Sequence, residues 1–257
     1  ETVTSALGFE RRPAFCPYDK GLFFVGGEGS QSNLYFRRLD ADQPTRLTND
    51  PGDDEHPACS PDGRQVAFIH QAPAAPSAQV LVIMNLDGSN RREYLRGRFI
   101  HSLVWSGDGR HLLVSLGVQD HGHHRLSVFD TVAGIIDHDI TSPPETSLGD
   151  INPALSPDGR RLVFCRYWER GSADLFVLEF DAQLRPKEEP RRLTHDRRRL
   201  ASPQWTPDGN EILFTAGSLG YMTLWRMPAD GSSKPQGVNG PFQRIEHISI
   251  PRDRWKL

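Results

Sequence analysis

Short apolar runs recur along this chain in a fixed order, each separated by polar turn residues. One set comprises Gln65-Val66-Ala67-Phe68, His111-Leu112-Leu113-Val114, Arg161-Leu162-Val163-Phe164 and Glu211-Ile212-Leu213-Phe214. Their β-branched and aromatic content reads as strand. A second set follows each polar loop: Leu34-Tyr35-Phe36, Val80-Leu81-Val82-Ile83, Arg125-Leu126-Ser127-Val128-Phe129, Leu175-Phe176-Val177-Leu178 and Thr223-Leu224-Trp225-Arg226-Met227. Shorter closing pieces come next, at Arg46-Leu47-Thr48, Ile140-Thr141-Ser142 and Arg192-Leu193-Thr194. No apolar stripe of helical period reaches useful length, so no long helix is predicted.

Ahead of the first set stands a repeated strand and turn. The copies are Pro13-Ala14-Phe15-Cys16-Pro17, Pro57-Ala58-Cys59-Ser60-Pro61-Asp62-Gly63-Arg64 and Leu103-Val104-Trp105-Ser106-Gly107-Asp108-Gly109-Arg110. They continue at Pro153-Ala154-Leu155-Ser156-Pro157-Asp158-Gly159-Arg160 and Pro203-Gln204-Trp205-Thr206-Pro207-Asp208-Gly209-Asn210. A degraded copy starts at His247, as Ile248-Ser249-Ile250-Pro251-Arg252-Asp253-Arg254-Trp255. The Asp-Gly pairs at Asp62, Asp108, Asp158 and Asp208 are spaced by 46, 50 and 50 residues. Pro presets its own φ, Asp bonds the local backbone and Gly takes positive φ, which makes this a tight turn. One large side chain holds the same slot before each turn: Phe15, Cys59, Trp105, Leu155, Trp205 and Ile250. That slot is expected to pack between neighbouring blades.

Four short strands per repeat of this length make one propeller blade. The expected fold is therefore all-β: one six-bladed propeller domain over residues 1–257, with four-stranded antiparallel blades. The blade anchors fall near 13–24, 57–68, 103–114, 153–164, 203–214 and 247–257. The sequence stops early in the sixth repeat, so the last blade is expected to be incomplete here. Val3-Thr4-Ser5 resembles the end of a fourth strand and is expected to pair onto the last blade as a closure. The N-terminus has no initiator Met and no signal peptide, which reads as a processed product or a piece of something longer.

The Ser-Pro-Asp-Gly-Arg repeats resemble TolB-like, WD-repeat-like bacterial propellers. From Ile140 to Ile250 the order Thr141-Ser142-Pro143-Pro144, Arg191-Arg192-Leu193-Thr194, Trp205-Thr206-Pro207-Asp208-Gly209 and Leu224-Trp225-Arg226-Met227-Pro228 is similar to the C-terminal half of CadC-type winged-helix regulators of Acidobacteria. Some serine/threonine kinases of those bacteria carry the same propeller. The resemblance implies a ligand-sensing or protein-docking ring, with any DNA binding left to another domain. It leaves two alternatives open: a TolB-like envelope scaffold, and the propeller of a prolyl-oligopeptidase-like peptidase or of a kinase. Pro17-Tyr18-Asp19-Lys20-Gly21 replaces the usual turn in the first repeat, and the sixth has lost its Gly.

Charge and chemistry narrow this further. The net charge of −3 lacks the basic excess of a nucleic-acid binder. Arg91-Arg92 and Arg197-Arg198-Arg199 read as solvated loop edges. No run of about 18 apolar residues is present to span a membrane as a helix. Three cysteines, Cys16, Cys59 and Cys165, at irregular spacing read as neither a disulfide framework nor a zinc site. An extracytoplasmic, periplasmic setting is favoured over a cytoplasmic one by the family resemblance. No Gly-x-Ser-x-Gly elbow, His-Glu-x-x-His or phosphate loop occurs, so the chain is expected to be no enzyme and to use no cofactor.

Candidate site residues lie on the connections leading into each anchor strand, which ring one mouth of a propeller's channel. They are Arg12, Asp54, Glu55, His56, His101, Asp150, Asn152, Arg199, Glu246 and His247. Charged groups converging there suit a protein or a small polar ligand; the alternative is a solvated loop face. Asp120-His121-Gly122-His123-His124 is the best metal candidate, since imidazole suits transition metals, but without supporting Cys or carboxylates it reads as solvated histidines, and no metal is assigned. Tyr167-Trp168 reads either as an interaction edge or as packing over a blade rim.

Overall fold

The computed structural model describes residues 9–18, 20–27, 31–73, 79–117, 123–218, 221–239 and 245–251. They are all-β, with no helix among them. The first blade runs β1 (Phe9–Cys16), β2 (Gly21–Gly27), β3 (Asn33–Arg37) and β4 (Thr45–Arg46), each paired antiparallel to the next. The second has β5 (Asp53–Cys59), β6 (Gln65–Gln71), β7 (Gln79–Asn85) and the first half of β8 (Arg92–Trp105). The second half of β8 opens the third blade, followed by β9 (His111–Gly117), β10 (Arg125–Asp130) and β11 (Ile135–Asp139). The fourth holds β12 (Gly149–Leu155), β13 (Arg161–Glu169), β14 (Ser172–Glu179) and β15 (Arg191–Arg192). The fifth holds β16 (Arg199–Trp205), β17 (Glu211–Ser218), β18 (Tyr221–Pro228) and β19 (Gln236–Gly237).

The hydrophobic pattern explains why the blades stack. Along a strand, successive side chains face opposite sides. In β6, Val66 and Phe68 pack on Phe23 and Leu34 of the first blade, while Ala67 and Ile69 pack on Leu103, Trp105 and Leu112 of the third. The same alternation places Phe164 toward the third blade and Val163 with Cys165 toward the fifth. Each core cluster thus sits between two successive blades, and the middle strands are apolar on both faces. That is why they read as nearly continuous apolar runs. Phe68, Phe164 and Phe214 are each buried, which stabilises the stack by about 1.5–3 kcal/mol apiece.

The repeated turns form as expected. In the second blade Ser60 Oγ donates to Asp62 Oδ1 (2.6 Å), and Asp62 Oδ1 accepts the Arg64 N–H (3.0 Å). Gly63, Gly109, Gly159 and Gly209 all adopt φ between 62° and 70°. The anchor slot also joins blades. Trp105 Nε1 donates to the Ala58 carbonyl (3.0 Å) and Trp205 Nε1 to the Ala154 carbonyl (2.9 Å), in each case on the preceding blade.

Two expectations need correction. Cys16 and Cys59 are joined by a disulfide, with Cα atoms 5.3 Å apart. Cys59 occupies the slot that reaches the preceding blade, and Cys16 is what it meets there. Cys165 is free and buried, and burial raises its thiol pKa. The closing strands lie earlier than read. β4, β11 and β15 end before Leu47, Ile140 and Leu193, because the next threonine turns its hydroxyl to the third strand: Thr48, Thr141 and Thr194 Oγ1 accept the N–H of Leu34, Leu126 and Leu175 (2.9, 3.0 and 2.9 Å). Of the two readings of Trp168, the structure shows packing: its Nε1 donates to Asp174 Oδ2 (2.7 Å), with Arg192 and Arg197 over its ring.

Residues 245–251 lie between the fifth and first blades without a strand of their own. Ile245 N donates to the Met222 carbonyl (2.9 Å), and Ser249 Oγ accepts the Phe15 N–H (3.1 Å). The expected closure by Val3-Thr4-Ser5 lies outside the described residues.

Candidate functional site

Every anchor strand breaks its ladder at the same place. Register shifts occur between Arg11 and Ala14, Glu55 and Ala58, Ile100 and Ser102, Ile151 and Ala154, and Ala201 and Gln204. Four of these bulges contain a residue before proline in the left-handed region: Arg12 (φ 53°), His56 (52°), Asn152 (55°) and Ser202 (47°). Proline cannot donate to a ladder, so a recurrent proline favours a bulge there. Non-glycine residues in this region cost about 1–3 kcal/mol each, and bulges re-aim side chains beside functional sites. Here they turn the side chains of several blades toward one common space.

That space is a cavity of about 780 Å³ at the mouth of the central channel. Its lining includes Arg12, Glu55, His56, His101, Asn152, Arg199 and His247, seven of the sequence candidates. Asp54, Asp150 and Glu246 are not among its walls. Asp54 is buried in the junction of the first two blades, bonded to Thr48 Oγ1 and to His70 Nδ1 (2.8 Å). Asp150 is buried and holds Arg166 in a two-pronged pair (2.7 and 2.8 Å), and burial raises its pKa. Glu246 is exposed. Below the cavity, a narrower space of about 190 Å³ shares Pro13, Pro57, Leu103, Pro153 and Gln204 with it. Trp105, Trp205 and Ile250 line that lower part, whose side chains are mostly apolar.

The mouth is polar and linked around its circumference. Glu55 pairs with both Arg11 and Arg12, and Arg12 Nη1 lies 3.2 Å from His56 Nδ1. The rings of His56 and His101 stand 5.5 Å apart, and those of His101 and His124 5.6 Å apart. Ser202 Oγ is 3.2 Å from His247 Nδ1, and the Asn152 N–H donates to Ser102 Oγ (2.8 Å). His101 Nδ1 is buried without a hydrogen-bond partner among the described residues.

Burial, reinforced by these cations, keeps the imidazoles neutral. It lowers His56 well below its ordinary value, with Arg12 and the neighbouring histidines adding to the effect. His101 is lowered to about 3 by burial, then by His124 and Arg12. His247 is lowered to about 4 by burial, then by Arg12 and Arg11. His124 is lowered by burial as well. Burial also lowers the pKa of Arg12 itself, against the attraction of Glu55.

The wall also includes residues outside the sequence candidates for the mouth. Tyr167 lines the cavity, and its hydroxyl is bonded to the Leu200 carbonyl. Ser202, Arg170 and His124 also line it. His124 belongs to the run considered as a metal candidate; Asp120, His121 and Gly122 of that run lie outside the described residues. Among the described residues no group of His, Cys, Asp or Glu is placed to hold a metal ion. None of the described residues form a helix long and apolar enough to cross a membrane.

No family model matches the chain. A 78-residue stretch is 33% identical to an uncharacterized protein of Agrobacterium fabrum, over 30% of this chain and 25% of that protein. In structure the chain is similar to TolB from Acinetobacter baumannii, with a TM-score of 0.72 and 17% identity over 87% of this chain and 52% of that one. A putative TolB from Agrobacterium tumefaciens gives 0.71 and 19%, over 91% and 82% of the two chains. The fold is that of a TolB-like β-propeller. The propeller domain of the Trilobed protease from Pyrococcus furiosus, which has an open velcro topology, is also similar, at 0.60 and 14% over 95% and 89%. The chain thus spans a quarter of the Agrobacterium fabrum protein and about half of the Acinetobacter TolB. A TolB-like propeller serves many purposes, so the likeness speaks for architecture and leaves function to the site.

Proposed function

We propose that this chain is a non-catalytic propeller that binds a ligand or partner at its channel mouth, and that residues 245–251 begin a sixth blade. The observation that carries the reading is the set of bulges on successive blades. Four strained residues at equivalent positions are an expense the ladder alone does not require. They turn Arg12, His56, Asn152 and Ser202 into one cavity lined by both polar and apolar groups, the usual make-up of a binding site. Burial lowers the pKa of the His101 and His247 imidazoles to about 3 and about 4, which makes them weak bases, and this supports a binding role over a catalytic one.

The setting we favour is the sensor half of a bacterial transcriptional regulator, on the repeat order from Ile140 to Ile250. A second reading, a TolB-like envelope scaffold, is favoured by the Cys16–Cys59 disulfide, since such bonds persist in oxidising compartments such as the periplasm. The parent coding sequence separates the two: an upstream winged helix supports the first, a signal peptide the second. The binding reading is tested by a thermal-shift screen of small metabolites and short peptides on the full chain. A stabilising compound whose effect is lost in His56→Ala and Asn152→Ala is expected. Hits that stabilise both variants as strongly as the parent would sink the assignment to the mouth.

A further inference from the structure

The charges around the mouth are unbalanced, and this bears on what the site takes. Among the described residues three arginines, Arg12, Arg170 and Arg199, line the cavity against a single carboxylate, Glu55. That carboxylate is already engaged by Arg11 and Arg12. Arg170 and Arg199 make no ion pair among the described residues, and both are exposed at the rim. They occupy one corner. Arg170 sits at the turn between β13 and β14, and Arg199 begins β16; the Ala173 N–H donates to the Arg198 carbonyl (2.8 Å) and joins the two segments. Each guanidinium presents a planar fork that matches the oxygens of an anion, and the two line the same cavity from adjoining segments.

We propose that the mouth is a receptor for a free carboxylate, which Arg170 and Arg199 take at the rim while the imidazole-lined cavity and the apolar side chains further in receive the uncharged remainder of the ligand. The proposal rests on the binding reading above and adds the ligand class. The guanidinium fork matches phosphate as well as carboxylate, so inorganic phosphate is the competing probe, and the apolar side chains further in suit the organic remainder of a carboxylic acid. Deeper in, His101 Nδ1 is buried without a hydrogen-bond partner among the described residues, a group that a ligand reaching it by a small shift of the ring would satisfy. Pro57, Leu103 and Pro153, which the two parts of the channel share, give an apolar side chain a place to lie. A small organic acid and the C-terminus of a peptide both carry this chemistry.

The test is calorimetric titration of the full chain with four probes: glutarate, the peptide Gly-Gly-Gly-Phe with a free C-terminus, the same peptide amidated, and inorganic phosphate. The free-acid probes are expected to bind, and the amide at least about tenfold more weakly, because a charge-assisted pair is lost. Arg170→Gln and Arg199→Gln are each expected to weaken the acid by about tenfold. Both side chains are exposed, so the melting temperature is expected to stay unchanged. Tighter binding of the peptide acid than of glutarate identifies a chain terminus as the source; the reverse identifies a small acid. Equal binding of acid and amide, tighter binding of phosphate, unchanged affinity in both arginine variants, or no binding of any probe each overturns the carboxylate assignment. The mouth itself stands or falls separately, on the His56 and Asn152 variants in the screen.

Discussion

The disulfide between the first two blades makes the sharpest stability test. The perturbation is the double variant Cys16→Ala/Cys59→Ala, compared with oxidised parent protein. The bond closes a loop of sequence separation 43, and the loop-entropy relation then gives a stabilisation of about 4 kcal/mol at 25 °C. Both residues also pack in the core between these blades, so nothing polar is left unsatisfied by alanine. For a chain of this size each kcal/mol is worth about 2–4 °C, which makes the expected fall in melting temperature about 8–16 °C. The assay is thermal unfolding followed by circular dichroism and tryptophan fluorescence at neutral pH. Thiol counting in denaturant runs alongside, and one reactive cysteine, Cys165, is expected before reduction against three after it. A variant melting within about 1 °C of the oxidised parent would refute the entropy argument. Three reactive thiols before reduction would refute the pairing itself.

Trp205→Ala is expected to cost about 3–5 kcal/mol in chemical denaturation, because it empties the core between the fourth and fifth blades; near-parent stability would contradict the inter-blade role of the slot. Asp54→Ala is expected to destabilise by about 2–4 kcal/mol, because it strands Thr48 and His70 in the junction of the first two blades. It should leave the affinity of any mouth ligand unchanged well below its melting point, and an equal loss of affinity would place Asp54 in the site. Stability is expected to fall as pH drops below about 6.5. There the unfolded imidazoles take up protons that His56, His101 and His247 refuse while folded, each contributing up to about 1.4 kcal/mol per pH unit. The turn aspartates Asp158 and Asp208, whose pKa values are lowered, release their stabilisation mainly below about 3.8, and Asp150, whose pKa is raised, acts in the opposite sense, so a fall in stability between pH 6.5 and 4.5 is assigned to the histidines. A flat profile over that range would contradict their buried, neutral state.

Much of this architecture is written locally. The Ser-Pro-Asp-Gly turns need only their own residues to form, so their recurrence reports blade spacing before any tertiary contact is known. The slot residues Trp105 and Trp205 were legible for the same reason. What escaped depends on contacts between repeats. The irregular spacing of Cys16 and Cys59 carries no signal until the two are placed on adjacent blades; there Cys59 stands in the slot that Trp105 and Trp205 use to reach the preceding blade. In the acidic run before Pro57, ordinary strand alternation turns Asp54 into the blade junction and Glu55 to the cavity, and the one-residue bulge that follows places His56 on the cavity wall beside Glu55. A visible cue was the proline at 13, 57, 153 and 203, each at the point where the ladder breaks. The left-handed residue before it was not foreseeable, since a residue preceding proline ordinarily prefers extended backbone. Arg170 lies on the turn between the middle strands of the fourth blade and Tyr167 near the end of β13, and that hairpin brings both to the cavity wall.

The most direct measurement is a hydrogen-exchange footprint of the full chain, taken with and without the compound giving the largest thermal shift. Protection is expected at the bulges, in segments 54–57, 100–103, 150–153 and 200–203, together with 246–248. Protection confined to the outer strands β4, β11, β15 and β19 would mean that the strained ring at the mouth is not where this propeller binds.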